Sequence, residues 1–341
     1  MPWTRLTETA RQPLTDGGRE LTFAEAIHEA QNQAMAADPA VVVMGEGVDD
    51  ATGIFGTCLG LEEKFGADRV FDLPIAENTC TGAALGMALT GLKPIYVHMR
   101  ADFLFMGADQ LVNHLAKWKY MTSGRQCAPV VIRAIIGRGW GSGAQHSQSP
   151  QGMFLQAPGL AVAMPASPYE AKGLLLAALA HNGPVLILEH RWLYNRRGAV
   201  PEEMYLSPLG RGRVVRPGRD VTICALSLMV DEALQAAEAL EQEGVSAEVL
   251  DARWVSPLDE DLLLESVGRT GRLVTADTGP TAGGFGAEIA ALVAEKAWER
   301  LKAPVRRVGL PASPAPAAAN LEKLYYPGWE QIAQAAREVL K

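Results

Sequence analysis

The chain has 341 residues, 48% apolar and 21% charged, enough for a substantial core and too apolar for a largely disordered polymer. Its formal net charge of −8, with acids dispersed rather than massed, argues against nucleic acid as a partner. No apolar run reaches the roughly 18 residues that cross a bilayer, and Cys58, Cys80, Cys127 and Cys224 show neither a disulfide framework nor metal-ligand spacing, so a soluble protein of the reducing cytoplasm is expected.

The length suggests two domains: an N-terminal arm over 1–20, a first domain over 21–190, a linker over 191–218 and a smaller domain over 219–341. Thr22 and Glu25 form a capping-box pattern that opens an amphipathic helix, and Asp38-Pro39 stops it. AVVVM at 40–44 suits a strand buried on both faces, and it runs into the glycine- and acid-rich loop GEGVDDATGIFG. A short helix at LEEKFG leads to the strand RVFDLP and then to Glu77, at the mouth of the small-residue helix TCTGAALGMALTG. A strand over 94–99 precedes a long helical pattern from Phe103 to Tyr120, with apolar positions at 104, 108, 111, 112 and 115. The strand over 129–136 delivers the loop GRGWGSGAQHSQSPQ, followed by the strand LAVAMP, a helix from Pro168 and the strand PVLILEH. The second half repeats the alternation with DVTICAL, VDEALQAAEALEQEG, VSAEVLD, GRLVTAD, a Gly-rich turn and further helices. Strands separated by helices in this order specify an α/β chain with mostly parallel sheets.

The local chemistry leaves several readings open. Glu77 is either a helix-start acid stabilised by the dipole or a proton handler in a pocket. His146, in the polar AQHSQS segment, is either structural or a proton carrier near neutral pH. Phe103 is either core or a face for a flat ring, and Arg100 either pairs with Asp102 or faces a substrate. GRGWGSG lacks the spacing of a dinucleotide fingerprint, and neither a GxSxG elbow nor a Walker-type phosphate loop occurs. In the second half Asp277 and GPTAGGFGAE read as a tight strand-to-helix turn.

VVVMGEGV, LEEKFGADRVFDLPIAE, ADFLFMGADQLVNHLAKWKYMTSG, PVVIRAIIG, AQHSQSP, PGLAVAMPASPYEAKGLLLAAL, GPVLILEHRWLY and GGFGAEI stand in one order. Together they resemble the beta subunit of the E1 component of 2-oxo acid dehydrogenase complexes, the group acting on pyruvate, branched-chain 2-oxo acids and acetoin. The resemblance implies a transketolase-like pyrimidine-binding domain followed by a smaller transketolase C-terminal domain. It also implies an alpha2beta2 heterotetramer holding thiamine diphosphate between unlike chains, with Mg2+ and the diphosphate held by an alpha chain through a GDG motif absent here. By the same resemblance Glu77 touches N1′ of the aminopyrimidine, Phe103 stacks on that ring, Glu46 joins them as a cofactor-binding residue, and His146 handles protons at the lipoyl entrance. The acyl group left by decarboxylation passes to a lipoyl arm of E2. Backbone carbonyls of Ala178, Leu179 and His181 match a potassium-binding segment of some relatives, although Gly183 replaces a common Asn. Where relatives read EF or EI, this chain has VHMRADF, which places His98 and Arg100 at the substrate channel. The competing reading is a two-chain carboligase that works without E2. Beta-beta self-association is expected when the alpha chain is missing.

Overall fold

The computed structural model describes residues 19–137 and 141–341. Most of the expected N-terminal arm, and Arg138, Gly139 and Trp140 of the Gly-rich loop, lie outside the described residues. The chain forms two compact units, one of residues up to Ile136 with Ala157–Leu209, the other of Gly137–Gln156 with Gly210–Lys341.

In the first unit the strands lie in the spatial order Ala161–Ala163, Val185–His190, Val131–Ile136, Lys93–His98, Val41–Gly45 and Val70–Phe71. Every neighbouring pair among them is parallel. Their carboxyl ends therefore share one edge of the sheet, where loops carry little packing duty and binding residues accumulate. The helix Phe23–Ala37 opens with the expected capping box: Thr22 Oγ1 accepts from the Glu25 N–H at 3.1 Å, and the Thr22 N–H donates to Glu25 at 2.7 Å. That helix packs on Pro168–Ala180, which Ser167 caps by accepting from the Glu170 N–H.

The long helical pattern expected over 103–120 is broken into three pieces. Ala101–Phe105 is a 3-10 turn, Asp109–Leu115 a π-helix and Trp118–Met121 a single α-turn. Backbone approaches accompany the break. A Cβ on Gly107 would lie 2.7 Å from Thr81 Oγ1 and 3.2 Å from the Glu77 carbonyl oxygen, so this segment lies directly on the helix Glu77–Leu89. Further on, the Ala116 N–H bonds the Leu111 carbonyl five residues back, and a Cβ on Gly159 would overlap the Ala116 carbonyl oxygen. The wider π register keeps Leu111 and Leu115 buried while the backbone follows these contacts.

A buried ion pair ties the centre of this unit together. Arg133 Nε and its terminal nitrogen donate to the two carboxylate oxygens of Glu189 at 2.6 and 2.9 Å, and the other nitrogen reaches Gln31 at 2.9 Å. The Tyr194 hydroxyl donates to Glu189 at 2.7 Å, and Gln31 donates to the Thr57 carbonyl. Within the stretch expected as a linker, Arg197–Ala199 pairs antiparallel with Glu20–Thr22 in the first unit.

The second unit has parallel strands in the order Arg306–Leu310, Leu273–Pro280, Val221–Ala225 and Ala247–Asp251. Arg213–Arg216, also from the expected linker, adds an antiparallel edge. Helices Leu228–Gln242, Glu260–Thr270, Phe285–Ala297 and Trp329–Leu340 flank this sheet.

Candidate active site

In the first unit the candidate residues gather at the carboxyl ends of the strands. Val41–Gly45 ends at a glycine with φ +154°, where a Cβ would lie 2.4 Å from the Val97 carbonyl oxygen. Only glycine lets the chain turn this close to the neighbouring strand, and the next residue is Glu46. The Asp72 carboxylate accepts from the Gly47 N–H at 2.7 Å and pins the same turn from the end of the adjacent strand. Glu77 is the first residue of its helix, and its neighbour Ala76, at the cap position, offers no side-chain cap. Its side chain is buried at 6% exposure and makes no ion pair with any described residue.

These acids feel one another. The Glu46 carboxyl is held above the ordinary carboxylate value, first by loss of water and then by the negative charges of Glu77 and Asp72. The charges of Glu46 and Glu77 reach further: with burial as the leading cause, they raise the Cys80 thiol and the Tyr96 hydroxyl and keep both neutral.

His98 ends its strand and is buried, with its ring 4.2 Å from that of Tyr96. Burial pushes its pKa down to about 3, so at neutral pH it is an uncharged imidazole. Its Nε2 has no hydrogen-bond partner among the described residues. Arg100 follows it at the cap of the 3-10 turn that carries Phe103, and both side chains are partly exposed. The Arg100 charge contributes to lowering the pKa of Arg191, behind burial as the larger cause. Two guanidinium groups thus stand within electrostatic reach of each other in this unit.

His146 belongs to the second unit and is exposed on an irregular stretch. Ala178 and Leu179 lie in the last turn of Pro168–Ala180, and the His181 N–H bonds back to the carbonyls of Ala177 and Ala178. Sequence reasoning missed Tyr96, Cys80 and Asp72 as members of the acid cluster. The alternation of side chains in a strand puts Tyr96 and His98 on one face, a signal legible in PIYVH.

Comparison with known proteins joins this geometry to a family. Residues 19–197 match the transketolase pyrimidine-binding domain, and residues 210–332 the transketolase C-terminal domain. The chain is 43% identical over 333 residues to the beta subunit of acetoin:2,6-dichlorophenolindophenol oxidoreductase of Cupriavidus necator, covering 95% of this chain and 98% of that one. It belongs to the E1 beta subunits of the thiamine diphosphate-dependent 2-oxo acid dehydrogenases. Against the 2-oxoisovalerate dehydrogenase beta subunit of Bacillus subtilis the identity is 39%, over 94% of this chain and 98% of that subunit. The mitochondrial pyruvate dehydrogenase E1 component subunit beta-1 of Arabidopsis thaliana is 40% identical, over 98% of this chain and 93% of its own length. Among solved structures, a split-gene transketolase, in an inactive beta4 tetramer, superposes with TM-score 0.75 at 27% identity, over 95% of this chain and 99% of that one. As an E1 beta subunit the chain serves the thiamine diphosphate-dependent decarboxylation of a 2-oxo acid and depends on an alpha partner. No helix among the described residues is long and apolar enough to cross a membrane.

The Glu46 assignment gives a pH test with a definite sign. A carboxyl raised in the fold binds its proton more tightly there than in the unfolded chain, so stability falls as pH rises from 4.5 through the raised value. Glu46→Gln removes that dependence. Its melting temperature relative to the native chain should climb across this interval and level off above it, by differential scanning calorimetry; a constant difference would contradict the raised value.

Proposed function

We propose that this E1 beta subunit supplies the pyrimidine side of a shared thiamine diphosphate site, with Glu77 as the carboxylate that bonds N1′ of the aminopyrimidine. The observation that supports this reading best is the burial of Glu77 at the strand ends, beside Glu46, whose carboxyl its charge helps to raise. A buried carboxylate with no ion pair among the described residues suits a ring nitrogen that carries a proton when bonded to it. When bound, thiamine diphosphate supplies a thiazolium carbon able to accept the electron pair left by decarboxylation.

The chain's own residues divide the remaining work. Glu77 holds or releases a proton at N1′, and low hydration keeps that transfer from being shared with bulk water. Glu46 stands behind it as a second cofactor-facing acid. Phe103 offers its ring to the pyrimidine face, and His98 contributes an uncharged edge beside Tyr96. His146 handles protons where the acyl group leaves for the lipoyl arm of an E2 acyltransferase. Mg2+ and the diphosphate are assigned to the alpha subunit of an alpha2beta2 heterotetramer, and potassium to the carbonyls of Ala178, Leu179 and His181. The substrate is a pyruvate-like or branched-chain 2-oxo acid, and the compartment is the cytoplasm.

Two measurements test this assignment. Calorimetric titration of thiamine diphosphate and Mg2+ into the chain alone should give weak or no binding, and into the chain assembled with its alpha partner one tight site per beta chain. Tight stoichiometric binding to the chain alone would overturn the half-site. The place of Arg100 just after the strand Lys93–His98, at the carboxyl edge of the sheet, further favours a donor or acceptor with a second anionic group. Arg100→Thr should therefore lower the rate on a dicarboxylic 2-oxo acid relative to pyruvate by about tenfold, as expected for losing one charge contact; unchanged relative rates would remove Arg100 from that role.

A further inference from the structure

The stretch bearing His146 is anchored within the second unit. Exposure alternates along it, with His146 and Gln148 exposed and Ser147 and Ser149 buried, so one side of the stretch is packed down while the imidazole faces out. The stretch ends at Gln151, fully buried at the start of the short helix Gln151–Phe154. Gln151 donates through Nε2 to Asp277 Oδ1 at 2.5 Å, and the same oxygen accepts from the Gly279 N–H at 3.2 Å. Asp277 is 3% exposed and sits near the end of the strand Leu273–Pro280.

Glycines on both sides make the contact intimate. A Cβ on Gly152 would lie 2.7 Å from the Gly283 carbonyl oxygen. One on Gly279 would lie 2.7 Å from Gln151 Nε2 and 3.2 Å from the Ser149 carbonyl oxygen. The turn 277–284 and the stretch 149–152 are therefore packed backbone to backbone, and one side-chain hydrogen bond fixes their register. Burial raises the Asp277 carboxyl, while the Gln151 amide and backbone N–H groups oppose that rise. A buried carboxylate costs free energy that its donors must offset, which makes the bond expensive to break from one side.

We infer that Asp277 and Gln151 are positioning residues for His146: their buried hydrogen bond sets where the exposed imidazole stands, five residues back along the chain. This inference rests on the reading of His146 as the residue that handles protons in acyl transfer. It gives the Gly-rich turn after Leu273–Pro280 a part in the reaction, where the sequence suggested only a tight turn.

The test uses the full chain assembled with its alpha partner. Three variants are compared with the native protein: Gln151→Glu, Asp277→Ala and the pair Gln151→Glu/Asp277→Asn. Amide hydrogen exchange over 141–156 and the kcat and KM for the 2-oxo acid in the full reaction, with a lipoyl-bearing E2 domain as acyl acceptor, are the readouts. Gln151→Glu sets two carboxylates face to face; exchange over 144–150 should rise and kcat should fall about 100-fold, the scale of a misplacement near 1 Å. KM for the 2-oxo acid should change far less. In the pair the introduced amide donates to the introduced carboxylate, and both readouts should return to within about tenfold of native, the signature of a coupled contact. Unchanged exchange in Gln151→Glu, or a pair no better than the single variant, would overturn the inference. If Gln151→Glu does not fold, Asp277→Ala decides, since it removes the acceptor without adding charge: raised exchange with lowered kcat supports the tether, and native values of either refute it. His146→Ala separates the two layers, because full turnover there would defeat the reading of His146 while the exchange data still judge the tether.

Discussion

The first unit depends on a charge pair that its sheet has swallowed whole. Arg133 is 0% exposed and Glu189 1% exposed, and they sit on adjacent parallel strands. Removing either would leave a bare charge in the core, so each partner has to be met completely. The fork of the guanidinium meets both carboxylate oxygens, Tyr194 adds a hydroxyl, and Gln31 bridges to the loop that follows Val41–Gly45. Two strands, one helix and one loop are thereby fixed against each other a few residues from the edge where Glu46, Glu77 and His98 emerge. A hydrophobic core of the same volume would pack as well, but it would not dictate the orientation of these four segments so narrowly.

On that fixed edge the chain assembles acidity rather than a complete catalytic apparatus. Burial and the charges of Glu77 and Asp72 hold the Glu46 carboxyl above its ordinary value, and burial with the charges of Glu46 and Glu77 raises the neighbouring Cys80 and Tyr96. Such a surface suits a partner that brings a hydrogen-bond donor on a weakly basic ring. Membership in the E1 beta subunits fits an acidic edge of this kind, since the family depends on thiamine diphosphate and on an alpha chain. Relatives named for acetoin, pyruvate and 2-oxoisovalerate match this chain over 94–98% of its length.

Local chemistry in the sequence was enough to place most of the framework. Thr22 with Glu25, Pro168 at a helix start and the apolar runs at 40–44, 129–136 and 184–190 are short-range signals, and the structure uses each for the element they imply. Glu77 was legible as a helix-start acid, but its coupling to Glu46 required two strand ends to meet. Arg133 was invisible as a structural centre because its partners lie 56 and 102 residues away. The periodicity over 103–120 was real in its buried positions and misleading in its backbone, since the approaches of Gly107 and Gly159 are tertiary facts. The grouping of 137–156 with the second unit was likewise hidden, because Gln151 meets Asp277 across 126 residues of sequence.

Whether Glu77 tunes the cofactor is read from deuterium exchange at the thiazolium C2 of thiamine diphosphate bound to the enzyme assembled with its alpha chain. In Glu77→Gln with cofactor bound, the exchange rate should fall by about 10²–10⁴-fold, the range that a positioned proton-transfer group contributes. Exchange at the native rate, with the cofactor still bound, would contradict the account.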